Sequence, residues 1–112
     1  MKQRLDVFVT DCQGKAEAGH PESQYDLGIL FSTGKGVPLD YVIAHKWFNL
    51  AAAGGIPEAR ELRVELGNQM QREEVNEALR LAREWLAARA PAPAPAPVPA
   101  LVSERELEPI AA

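Results

Sequence analysis

Residues 16–53 read AEAGHPESQYDLGILFSTGKGVPLDYVIAHKWFNLAAA. Two apolar-periodic segments flank the break Gly34-Lys35-Gly36-Val37-Pro38. The stretch holds Tyr25, Phe31, Tyr41, Trp47 and Phe48, which leaves only Phe8 and Trp85 outside it. Gly19 suits the position after a helix, and Pro21 suits the first turn of the next, where its missing N–H is no loss. A helix is therefore predicted from Pro21 to about Thr33, with Ser23, Leu27, Leu30 and Phe31 facing inward. Gly28 is costly within a helix, so its presence implies close approach of a neighbour. Asp40 is placed to cap the next helix, which runs to about Ala53 with Tyr41, Ala44, Trp47, Phe48 and Ala51 as its buried stripe.

Downstream, the pattern repeats. Gly54-Gly55 stops the chain, and Ile56-Pro57-Glu58 restarts it as His20-Pro21-Glu22 does. Pro21 and Pro57 are 36 residues apart, and Gly19, Ser23 and Leu30 map onto Gly55, Ala59 and Leu66 at the same offset. A period of this length signals a solenoid of helical hairpins. A fourth helix is predicted from Pro57 to about Leu66, stopped by Gly67-Asn68. A fifth runs from about Arg72 to Ala90 with a face of Val75, Ala78, Leu79, Ala82, Trp85 and Leu86. Met70 and Val75 have the spacing of a hydrophobic staple, with Glu74 in the first turn. Glu73, Glu77, Arg80, Arg83, Glu84 and Arg89 give this helix the polar outer face that a solenoid end needs.

Upstream, Leu5, Phe8, Val9, Cys12 and Ala16 fall on one helical face, which favours a helix from Lys2 to Ala18 over the strand that Val7-Phe8-Val9-Thr10 also permits. Cys12 then lies on the packed side as an inert thiol, with no cationic neighbour to activate it. The expected fold is all-α: a short α/α solenoid of about five helices in antiparallel hairpins over residues 1–90. An Ala/Pro linker of polyproline II character follows at 91–100, then a tail at 101–112 where Ser103 and Glu106 have capping-box spacing.

Composition narrows the partners. The chain has 112 residues, 46% of them hydrophobic, and a net charge of −4. With no basic cluster to neutralise phosphates, nucleic acid is an unsuitable partner, and a basic peptide or protein face suits better. The single cysteine excludes an intrachain disulfide and a cysteine metal cluster. Asp6 and Asp11 interrupt any apolar leader, and no run is long enough to span a membrane, so a cytoplasmic protein without membrane insertion is expected.

The residues Ala16-Glu17, Gly19, Gln24-Tyr25, Leu27-Gly28, Phe31, Gly34, Gly36-Val37, Asp40-Tyr41, Ala44, Trp47-Phe48 and Ala51-Ala52 resemble the pattern of the Sel1-like repeat family, with Ser23 in place of its usual alanine. The match covers one full repeat, flanked by weaker half-repeats. The resemblance implies an α/α solenoid similar in shape to the tetratricopeptide fold, and a role as adaptor or scaffold for protein complexes. Some secreted relatives carry paired cysteines and have been linked to β-lactam binding. This chain lacks those cysteines, so that activity is not carried over.

Catalytic and cofactor patterns are missing. Five residues, not four, separate Gly28 from Gly34, and Gly36 rather than Ser or Thr follows Lys35, so the segment reads as a turn and not as a phosphate loop. His20 and His45 have no second ligand one helical turn away, and both are expected to be solvated, His45 on the outer side of its helix. No nucleophile pairs with a base. The chain is read as a non-enzymatic protein-interaction module with no metal and no cofactor, or alternatively as a structural accessory subunit or assembly factor of a larger complex. The candidate surface is the outward stripe of the first helix of each hairpin: Asp26, Ile29 and Thr33 after Glu22, and Glu58, Glu65 and Gln69 at the repeat offset. Leu62, on the same stripe, pairs with Leu66 and is read as core.

Overall fold

The computed structural model describes residues 2–89, with side chains from Leu5 onward. The linker and tail expected beyond Ala90 lie outside the described residues. Five helices follow in order: α1 (Lys2–Glu17), α2 (Pro21–Thr33), α3 (Tyr41–Ala53), α4 (Pro57–Gln69) and α5 (Arg72–Arg89). No strand occurs among the described residues.

Local chemistry sets the boundaries. Pro21 opens α2, and Gly34 closes it in the left-handed region, its N–H donating to the carbonyl of Leu30. The Asp40 carboxylate accepts from the Ile43 N–H at 3.1 Å and so caps α3. Between them the chain folds back, and the Asp40 N–H reaches the carbonyl of Phe31 at 3.0 Å. Gly36 holds this turn at φ +80°, and a Cβ there would meet Val9 Cγ2 at 2.9 Å and Leu5 Cγ at 3.0 Å. The turn is thus seated on α1. At α5, the Gln71 N–H donates to Glu74 Oε1 at 2.9 Å, the reciprocal half of a capping box.

α3 is the shared neighbour. α2, α4 and α5 all pack on it, and α1 packs on α2. Two core clusters result. One joins Val9, Cys12 and Ala16 of α1 to Leu27, Leu30, Trp47, Leu50 and Ala82. The other joins Ala44, Phe48 and Ala51 of α3 to Ala59 and Leu66 of α4, with Leu62, Tyr25 and Met70 packed around it. Trp47 and Trp85 meet edge to face with centroids 6.0 Å apart, and Trp85 Nε1 donates to Glu17 Oε1 at 2.9 Å, fastening α5 to α1.

Gly28 shows why a poor helix former sits in α2. A Cβ there would lie 2.6 Å from the ring of Phe48. Gly28→Ala gains helix propensity but forces the ring or the helix to shift, so a net loss of about 1–3 kcal/mol is expected in urea unfolding. A variant as stable as the parent would show that the α2–α3 contact is looser than described.

Two expectations change. Phe8 is 44% exposed, because the core face of α1 is Leu5, Val9, Cys12 and Ala16, and Phe8 sits one residue of rotation to its side. α4 also runs past Leu66, through Gly67 and Asn68 to Gln69. Gly67 costs a helix roughly 1 kcal/mol, but here it packs against the His45 imidazole, where a Cβ would stand 3.5 Å from Nε2. Tertiary contact overrides the local stop signal.

Candidate functional site

α2 and α4 both pack on α3, and between them lies a groove of about 290 Å³. Its α2 wall is Ile29, Ser32 and Thr33, its floor includes Tyr41 and Phe48 of α3, and its α4 wall is Leu62, Glu65, Leu66 and Gln69. The wall spacing follows from helix geometry, since residues three and four apart share a face. Ile29, Leu62 and Tyr41 are half-buried, while Thr33, Glu65 and Gln69 are exposed at the rim.

Of the six residues expected on this surface, the groove brings together Ile29, Thr33, Glu65 and Gln69. Asp26 and Glu58 do not line it. Asp26 lies close enough to Cys12 for its charge to raise the thiol pKa, which places it toward α1. Burial and the nearby Glu22 raise the pKa of the Asp26 carboxyl. Glu58 stays exposed in the first turn of α4. Ser32, Tyr41, Phe48, Leu62 and Leu66 also line the groove and were missed, Leu62 because its pairing with Leu66 read as core. Ser32 directly precedes Thr33, and Tyr41 looked like core alone.

Apart from the groove lining, α3 and α4 share a buried polar chain. His45 is 4% exposed and Asn49 is fully buried. Arg63 Nη1 donates to Asn49 Oδ1 at 2.9 Å, and Asn49 Nδ2 stands 3.2 Å from His45 Nδ1. Arg63 has only donors, so the Asn49 carbonyl must face it and the amide must face the imidazole. His45 Nδ1 is therefore an acceptor, and the neutral ring carries its proton on Nε2. Burial, and secondly the Arg63 charge, push the His45 pKa down to about 4. The expectation of a solvated His45 is thus overturned. α3 is covered by three helices, so its polar positions are enclosed along with its stripe. Leu50, apolar but off the stripe, was the available signal.

The remaining chemistry is structural. Gln24 is 3% exposed and satisfies its amide by donating to the Ala16 carbonyl at 3.1 Å. Lys46 lies over the Trp47 ring at 4.3 Å, and Arg89 lies over Trp85 at 4.5 Å. Burial lowers the Lys46 pKa, against the opposing pull of Glu17. Cys12 is buried, and that burial, followed by Asp26 and Asp11, raises its thiol pKa. Among the described residues, no three His, Cys, Asp or Glu side chains converge as a metal site, and no helix is long and apolar enough to cross a membrane.

Consecutive helices stacked on a shared central helix, with a groove between the first helices of successive hairpins, define an α/α repeat. The family model of the Sel1 repeat matches residues 21–56, which span α2, the glycine turn and α3. Sel1 repeats are generally protein–protein interaction modules and are typically non-enzymatic. No curated protein and no solved structure matches the chain.

Proposed function

We propose that this protein is a non-catalytic adaptor that docks a segment of another protein in the groove between α2 and α4. The observation that supports this most is the groove itself, where an apolar floor is rimmed by exposed polar residues from two different helices. That combination is typical of peptide-binding sites, since apolar contact supplies affinity and the polar rim sets orientation. The acidic net charge and Glu65 at the rim favour a basic segment. A cytoplasmic setting agrees with the single free thiol of Cys12.

The test is capture of binding proteins from native cells, with wild-type chain and with Thr33→Arg combined with Glu65→Arg. Both positions are exposed, so the fold is retained. Loss of at least tenfold of the captured partner is expected. Undiminished capture by the double variant removes the groove from the interaction. If deletion of residues 91–112 abolishes capture instead, the tail is the binding element. A second reading, a fixed subunit of a larger assembly, draws on the exposed Val7, Phe8, Leu39 and Val64. It predicts co-purification at constant stoichiometry.

A further inference from the structure

We infer that the groove is a receptor for one cationic side chain, a lysine or arginine presented by a segment of the partner. The inference rests on the docking reading above and names what is docked.

The hydrogen-bond pattern of the walls carries it. Ser32 Oγ donates to the Ile29 carbonyl at 3.1 Å, and Thr33 Oγ1 donates to the carbonyls of Ile29 at 2.8 Å and Leu30 at 3.3 Å. Each hydroxyl proton is directed back into its own helix. What these two oxygens retain is lone pairs, so the α2 wall is an acceptor surface. The α4 wall opposite adds the Glu65 carboxylate, an acceptor with full charge, and the Gln69 amide, which can accept through its oxygen as well as donate. Arg63, although on the same helix, does not line the groove and donates to Asn49 of α3. A groove rimmed mostly by acceptors, one of them fully charged, calls for a charged donor that accepts nothing, and lysine and arginine are the side chains with that property.

The floor fits the same occupant. Ile29, Phe48, Leu62 and Leu66 offer apolar contact to a methylene stem, and the Tyr41 ring also faces the groove. Long basic side chains bury their stems in this way while the charged head reaches a polar rim. A volume of about 290 Å³ suits a single long side chain. It lies at the low end of the range for small-molecule sites.

The experiment titrates isotope-labelled full chain with capped pentapeptides Ala-Ala-Xaa-Ala-Ala, where Xaa is arginine, lysine, citrulline or norleucine, and follows backbone amide shifts. The arginine or lysine peptide is expected to shift the amides of Ile29, Thr33, Glu65 and Gln69 saturably. The neutral counterparts should bind at least tenfold more weakly, and Glu65→Gln should erase most of that difference. Binding should also weaken with added salt. If norleucine binds as well as lysine, the groove takes an apolar anchor: the cation assignment falls and the docking reading stands. If no peptide shifts these amides at about 10 mM, the cation assignment falls as well, since even millimolar affinity would be visible; the capture experiment still decides docking separately. If Arg105→Ala alone shifts the same amides, the occupant is the chain's own tail, which overturns a partner's side chain as the ligand.

Discussion

Acidification from pH 6.5 to pH 4 is expected to remove about 3 kcal/mol of stability through one residue, His45. In the folded protein the imidazole takes up a proton only near pH 4, whereas in the unfolded chain it does so near 6.5. Between these values the unfolded state holds the proton and the folded state does not, so stability falls as the pH drops. Above 6.5 the contribution is flat, and below about 4 it falls no further. The cause is local. A protonated Nδ1 turns from acceptor to donor facing the Asn49 amide, and a second cation appears beside Arg63. Asp26 acts in the opposite sense at the acid end, because its raised pKa lets the folded state keep a proton there. Urea midpoints measured across this range should slope for the parent. They should flatten for His45→Asn, whose side-chain oxygen keeps an acceptor near the Nδ1 position. The same slope in the variant would assign the effect to other groups.

Trp47→Ala is expected to cost about 3–5 kcal/mol, the usual range for a buried large aromatic. Trp47 belongs to the cluster that includes residues of α1, α2, α3 and α5, and its ring is contacted by Trp85 and Lys46. A small domain has roughly 5–15 kcal/mol in total, so a large share of the stability goes with it. The thermal midpoint should drop by roughly 15–30 °C at this size. Cys12, packed in the same cluster, should become open to thiol reagents in the same variant. A midpoint within a few degrees of the parent, with Cys12 still protected, would contradict the packing described for this cluster.

The elements most visible in the sequence are those whose ends are decided by single residues. Pro21, Gly34 and Asp40 mark α2 and α3 through backbone chemistry that acts within four residues, and both helices run where these residues place them. Gly28 likewise announced a close approach, which the Phe48 ring supplies. The features that stayed hidden depend on partners far along the chain. His45 and Asn49 look like surface residues until Arg63 is brought across from α4, and Gln24 does so until the Ala16 carbonyl turns toward it. Gly67 looked like a stop because propensity ignores the imidazole packed against it. The groove was half visible for the same reason. The repeat offset put Glu65 and Gln69 opposite Ile29 and Thr33. The stripe on α2 is wider than the groove, however, and Asp26 turns toward α1.

The position of α3 in both core clusters bears on how this molecule comes apart. A long solenoid divides its stability among units, so that end units melt by themselves while the middle persists. Here no unit has a core of its own. Removing α4 exposes one side of α3, and removing α5 exposes another. Unfolding should therefore occur in a single transition, with α3 the last segment to exchange its amide hydrogens. A partner that grips the wall formed by α4 would then protect helices it never touches.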